Sequence, residues 1–386
     1  MQKGGKTGSL LCIFLALLLV ISIFIMACSN QSSPTSKTAA TTATTAKTAA
    51  PATTSQAQSS SSEAPIILTF AGESTENSLK AQNIWIPWFK SIEEATGGKV
   101  KIQPYYAASL CTYTEQYNAV VSDLVDITHF APCESPGVFP ISDIGLLSSW
   151  DKFSWRYSHA VWELYNTFPE IQAEYTNVKV LAINSAAPTV ISATKDPIRT
   201  LADCNGKKWN VGGNIFELRA KALGAVPVAI PPPMIYSSME KGVIDGGIIV
   251  PEWLTSFSMS EQVKAVTTVP FNTTPLVFAI NWDKWNSLSP DIQKAIESVS
   301  GDALVDRCDT AEMTAYVDGL AGAKEKGIEV IDLSAEELAK WVAVDKPVVT
   351  KVISDLAAKG VQAQTIYDKW LELEAKYTAA EYKISK

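Results

Sequence analysis

From residue 66 to residue 250 the chain alternates short apolar runs with helical runs, twice over, and few folds accept that rhythm. Residues 66–71 are a β-type run ended by Gly72, and 75–96 have a helical period, with Thr75 or Asn77 as the cap and a kink expected at Pro87. Thr96-Gly97-Gly98 stops that helix. A strand follows at 100–106, a helix at 114–122 and a buried strand at 126–130. Aromatic residues then crowd 150–168 on a helical period, which is the pattern of core packing. The second set has strands at 178–184, 189–193 and 206–211, and a helix at 214–223 capped by Asn214. It continues with a strand at 227–230, a helix at 234–241 closed by Gly242, and an apolar strand at 244–250 containing Gly246-Gly247. Strands this short and apolar are covered on both faces, as in a parallel sheet flanked by helices. Two such α/β sets in one chain predict a cleft between them, where small ligands bind.

A second constraint is the uninterrupted helical stretch 290–327, with apolar residues at Ile292, Ala295, Ile296, Val299, Ala303 and Leu304. At 1.5 Å per residue it reaches roughly 50 Å, so it is expected to span both halves, bending near Gly301. A strand at 328–331, a capping box opened by Ser334, and helices at 345–359 and 364–376 complete the chain.

The N-terminal end is of another kind. Lys3 and Lys6 precede an apolar run from residue 10 to 26, followed by Ala27-Cys28. A positive start, an apolar middle and a small residue before the cut make a secretory signal. Cysteine directly after it matches a bacterial lipobox, in which Cys28 becomes a lipidated N-terminus. Residues 29–63 are almost wholly Ser, Thr, Ala, Gln, Lys and Pro, a composition that buries no core. The expected organisation is a lipoprotein signal peptide over 1–27 and a disordered tether over 28–63. One α/β domain is expected from 64–187 plus about 277–305. A second is expected from 188–276 plus about 306–386, including the C-terminal helices.

The formal net charge of −8 argues against a nucleic-acid partner, whose phosphates require clustered Lys and Arg. No Walker loop, G-x-S-x-G or H-E-x-x-H motif occurs, and the two histidines, His129 and His159, leave general bases and metal ligands scarce. No catalysis, metal or cofactor is expected. Of six cysteines, Cys12 leaves with the signal and Cys28 takes the lipid. Cys111, Cys133, Cys204 and Cys308 allow three pairings. Cys111 with Cys133 is the candidate pair because both follow strands of one half; free buried thiols are the alternative.

Six segments, in order, resemble the solute-binding proteins of tripartite ATP-independent periplasmic (TRAP) transporters, the DctP family. They are EEATGGKVKIQPY, QYNAVVSDLVDI, PIRTLADCNGKKWNV, ALGAVPVAI, MIYSSMEKGVIDG and NWDKWNSLSPDIQKAI. The resemblance runs from about Ile66 to Trp370. It implies a two-domain periplasmic-binding-protein-like fold of the class II type that closes over its ligand. It also implies delivery to a membrane permease of two integral subunits driven by an ion gradient. Family members usually carry, on the strand after the G-x-K step, an Arg that grips a substrate carboxylate. The aligned residue here is Asn210. A second family Arg aligns with Val190, and a family Asn falls near Ile248 or Ile249. Either the ligand is not a simple carboxylate and meets a more apolar wall of Trp209, Phe216, Tyr236 and Trp253, or Arg199 or Arg219 compensates. Arg219, one turn into a helix, reads as a surface residue. The first half is expected to add Glu73, Asn77 and Glu134, which follow strand ends. The expected partners are an organic solute, a permease and, through Cys28, a membrane. Two rivals remain: a solute-sensing lipoprotein feeding a sensor kinase, and an enzyme or adhesive surface lipoprotein.

Overall fold

The computed structural model describes residues 64–147, 156–269 and 273–378. The signal segment, Cys28, the tether and the first residues of the aromatic stripe lie outside them. In chain order the strands are β1 (Ile66–Ala71), β2 (Val100–Tyr105), β3 (Ile127–Phe130), β4 (Val178–Ser185), β5 (Val190–Ala193), β6 (Lys208–Val211), β7 (Val226–Ala229), β8 (Gly246–Ile249), β9 (Ala265–Thr268), β10 (Pro275–Asn281) and β11 (Glu329–Asp332). They form two sheets, ordered β2-β1-β3-β10-β4 and β11-β9-β5-β8-β6-β7.

Both sheets are mixed, where the rhythm of the sequence predicts parallel ones. β10 runs against β3 and β4, and β5 runs against β8 and β9. The cause is the path of the chain. It leaves the first sheet at the end of β4 and returns beside that point, where Pro275 pairs with Ser185. A strand that starts where its neighbour ends must run antiparallel to it. β5 and β9 repeat this relation in the second sheet.

Ser78 opens the first helix, its Oγ accepting the Ala81 N–H at 3.1 Å, so neither Thr75 nor Asn77 is the cap. Pro87 is absorbed by a wide π-turn, Ala81–Trp85, ahead of the helix Ile86–Ala95. This segment puts Trp85, Trp88 and Phe89 into the core beneath the first sheet, where Phe70 and Phe278 meet them edge-on. The long helical stretch breaks at Gly301, whose φ of +52° suits glycine, into Pro290–Ser298 and Gly301–Glu325. Leu304, Val305 and Cys308 at the start of the second piece join the core under the first sheet. Ala323, near its end, packs with Val190, Ile235 and Met239 under the second. One helix thus serves both cores.

Three expectations are corrected. The chain does not break at Asp345: a single helix, Ala335–Ala357, runs through Pro347. Arg219 is not at the surface but fully buried. Its Nε and Nη2 donate to the two Asp345 carboxylate oxygens at 2.9 and 2.8 Å, and Nη1 donates to the Leu146 carbonyl at 2.9 Å. That fork anchors the turn of helix containing Asp345. Finally, Cys111 and Cys133 are free, buried thiols. The strands they follow, β2 and β3, do not pair with each other but lie on either side of β1.

Replacing Arg219 with Met should remove the fork that holds the buried Asp345, a loss of about 3–5 kcal/mol. A urea titration followed by tryptophan fluorescence would read this as a lowered midpoint, and an unchanged midpoint would contradict the account.

Candidate functional site

The parallel strands of both sheets end facing one cavity, as ligand sites in α/β sheets usually do. Glu73 follows β1, Cys133 and Glu134 follow β3, Gly212 follows β6, and Glu252 follows β8; all line it. The cavity measures about 100 Å³, which limits the occupant to a small molecule. Its wall is mostly apolar, with Tyr113, Phe216, Trp253 and Phe257 among the contributors.

Strand geometry decides which residues can face it. Side chains alternate across β6, so Trp209 and Asn210 cannot both point into the cavity. Asn210 does, and is 3 % exposed. Trp209 points into the core with Val211. The position of Asn210 depends on the glycine pair beside it. Gly246 and Gly247 have φ of +152° and +159°, and a Cβ on Gly247 would lie 2.6 Å from the Asn210 backbone nitrogen. Gly213, with φ of +76°, opens the helix Gly213–Ala222, so Asn214 is not its cap. A Cβ there would meet that of Cys133 at 2.9 Å, so glycine lets this helix approach the first sheet's loops.

The charged groups are unevenly matched. Lys80 Nζ lies 2.7 Å from Glu73 Oε1. Burial pushes the Glu73 carboxyl up, but Lys80 and its hydrogen bond pull harder and hold it below its ordinary value. Burial disfavours charged Lys80, yet Glu73, Glu312 and Glu252 together raise its pKa. Burial raises Glu134 and Glu252 as well. Glu312, from the middle of the helix Gly301–Glu325, is pushed up to about 7, chiefly by burial, with Glu252 and Glu73 adding to the effect. Its Oε2 accepts the Ala187 N–H at 2.9 Å, in the connection between β4 and β5. Three acceptor atoms in the lining, Glu73 Oε2, Asn210 Oδ1 and Glu312 Oε1, are buried without a hydrogen-bond donor among the described residues.

His129 plays a supporting part behind this wall. Trp85 Nε1 can only donate, and it lies 2.9 Å from His129 Nδ1. The ring proton is therefore on Nε2, which donates to Asn184 Oδ1 at 2.8 Å. Burial, with Lys80 nearby, takes the His129 pKa down to about 3, so it stays neutral.

A cavity of this kind, at facing strand ends of two sheets that share one helix, suits the binding of a small molecule. Residues 70–355 match the family model of bacterial extracellular solute-binding protein family 7, DctP. The chain belongs to the DctP family. It is similar to a marine-metagenome TRAP solute-binding protein described as specific for aromatic acid ligands, solved with 3-hydroxybenzoate. That pair shares 26% identity over 82% of this chain and 99% of the other, with a TM-score of 0.78. A TRAP periplasmic solute-binding protein from Desulfovibrio salexigens shares 28% identity over 82% and 98%, with a TM-score of 0.71. It was solved as an open complex with the C-terminus of a symmetry mate in its ligand-binding site. Among curated proteins, the outer membrane transporter protein TsaT of Comamonas testosteroni is 25% identical over 73% of this chain and 84% of its own length.

Within this DctP-family cavity, Asn210, Glu73, Glu134, Phe216 and Trp253 of the expected residues come together. Three do not. Trp209 is turned inward by strand alternation. Asn77 is exposed on the turn before Ser78 and is not part of the lining. Tyr236 hydrogen-bonds Glu261 at 2.7 Å, away from the cavity. Neither candidate arginine reaches it: Arg219 is committed to Asp345, and exposed Arg199 pairs with Glu329 at 2.8 Å. The cavity's cation is instead Lys80, which sequence reasoning missed, together with Glu252 and Glu312. A signal existed for two of these. A Lys in the first turn of a helix opposes the helix dipole, and Glu312 falls one turn after Cys308 on a buried stripe.

The raised pKa of Glu312 has a consequence for stability. Its folded-state value of about 7 lies above its ordinary 4.5, so stability is intact below pH 4.5 and eroded as pH rises towards 7. A shift of that size is worth on the order of 3 kcal/mol. Lys80, Glu73, Glu252 and the Ala187 N–H are the groups that face it. Glu312→Gln keeps an acceptor for Ala187 and should stabilise the ligand-free protein at pH 8, with no gain at pH 4. Melting curves at the two pH values test this; equal shifts at both would refute it.

Proposed function

We propose that this protein captures a small organic solute in the cavity between its two sheets and hands it to a TRAP permease. The observation that carries the reading is the cavity itself, lined by residues from both sheets and backed by a helix shared by both cores. Membership of the DctP family supports it, as do solved relatives described as TRAP solute-binding proteins. Phe216, Trp253 and Phe257 form the apolar wall for the ligand's body. Asn210, Glu73, Lys80 and Glu312 supply polar contacts at its other end. Binding is reversible and involves no covalent step. We assign one lobe to 64–187 plus about 277–305 and the other to 188–276 plus about 306–386. They open and close about the β4–β5 connection. Cys28 carries the lipid that holds the protein at a membrane, and residues 29–63 let the body reach the permease.

Two experiments test this. A thermal-shift screen of organic solutes on the purified protein should find ligands that raise the melting temperature by a few degrees. A ligand at 100 times its Kd stabilises by about 2.7 kcal/mol. No response from any solute class would overturn the reading. Cys28→Ala should move the protein from the membrane to the soluble fraction after signal cleavage, and continued lipid labelling of that variant would refute the anchor.

A further inference from the structure

Among the described residues, the cavity is lined by four carboxyl groups, Glu73, Glu134, Glu252 and Glu312, against one ammonium, Lys80. Lys80 is engaged with Glu73 at 2.7 Å. Glu134, Glu252 and Glu312 form no ion pair among the described residues, where a pair requires nitrogen and oxygen within 4.0 Å. The polar atoms left over are of one kind. Glu73 Oε2 and Glu312 Oε1 are buried carboxylate oxygens with no donor, and Asn210 Oδ1 is a third buried acceptor beside them. All three residues are more than nine-tenths buried. An acceptor left unmatched in a buried site is costly, and an unmatched carboxylate more so. A carboxylate ligand would add a fifth acidic group and no donor. A ligand that donates hydrogen bonds from a positive group would satisfy the acceptors and the charge together. The remaining wall is mostly apolar and partly aromatic, with Ser74, Tyr113, Thr189 and Thr274 adding hydroxyls, which suits a hydrocarbon or ring body and attracts a cation to ring faces.

Resting on the solute-binding reading, we infer that this cavity takes an organic amine: a protonated amino group lodged among Glu73, Glu312 and Asn210, on an apolar or aromatic body. The position that aligns with the family's carboxylate-gripping Arg is thus occupied by an acceptor, in a cavity whose charge is inverted. Glu252 and Glu134 extend the negative field towards the same group. The pKa of Glu312, near 7 without ligand, supplies a readout, because a cation settling beside it expels its residual proton.

The test uses the full chain purified in detergent and isothermal titration with charge-matched probes on three skeletons. Benzyl, phenylethyl and cyclohexylmethyl groups each carry an ammonium, a hydroxyl or a carboxylate. On every skeleton that binds, the ammonium member is expected to bind at least tenfold more tightly than the carboxylate member. Its binding at pH 7 should release protons, seen as buffer-dependent heats of the corresponding sign. Glu312→Gln and Glu252→Gln should each lower ammonium affinity at least fivefold more than hydroxyl affinity; a purely structural role would lower both alike, and an equal loss would count against the inference. Tighter binding of carboxylates, or proton uptake with the ammonium members, overturns the inference and leaves the solute-binding reading standing. Silence across these probes and across the broad solute screen overturns both.

Discussion

The bond from the Ala187 N–H to Glu312 Oε2 ties together the parts on which the molecule depends. Ala187 lies where the chain passes from the first sheet to the second, and Glu312 lies midway along the helix that serves both cores. A backbone amide in a buried connection needs an acceptor, because neither sheet ladder supplies one there. A carboxylate is an expensive choice for that place, since burial raises its pKa to about 7. A threonine or glutamine would serve the amide alone. The charge is intelligible if the second carboxylate oxygen, turned to the cavity, has separate work. One side chain then links the cavity to the connection between the two sheets.

Buried Arg219 and half-buried Lys80 divide structure from function. Arg219 spends its planar fork on Asp345 and its third donor on the Leu146 carbonyl, so it joins two helices and a loop. Lys80 faces the cavity and meets one carboxylate with several more nearby. The guanidinium suits the first task, because its donors are rigidly arranged and it resists deprotonation. The compact ammonium suits the second, since it neutralises Glu73 without occupying the space a ligand needs. Neither supplies the spare cation that a carboxylate ligand would require.

How much of this was legible in the sequence follows from the range of each interaction. Local features came through: the order of strands and helices up to β8, the stop at Thr96-Gly97-Gly98, the break at Gly301 and the glycine pair at 246–247. The strands β9 and β10 were not read, and the direction of β5 was not either, because it is set by where the chain crosses between sheets. The fate of Asp345, Arg219 and the cysteines depended on partners more than 100 residues away or on which strands are neighbours. At the cavity, Asn210 was found through its place in a family pattern. Trp209 was wrongly added, although strand alternation alone separates it from Asn210. Lys80 and Glu312 went unseen, because each looks like an ordinary charge on a helix until the two sheets bring them together.

That last point bears on how such sites change their ligands. The scaffold requirements at β6 and β8 are met by backbone: the close approach of Gly247 to Asn210 depends on the missing Cβ and not on the side chain at 210. Position 210 is therefore free to carry Arg or Asn without disturbing the strand. The surrounding charges are less free, since Glu73, Lys80, Glu252 and Glu312 shift one another's pKa values. Placing an Arg at 210 would bring a cation to unmatched carboxylates and be held by them, instead of by a ligand. Conversion of this cavity to a carboxylate site would thus need the acidic residues removed along with Asn210. The ligand's charge is written in the balance of the whole cavity, and a single aligned position reports only part of it.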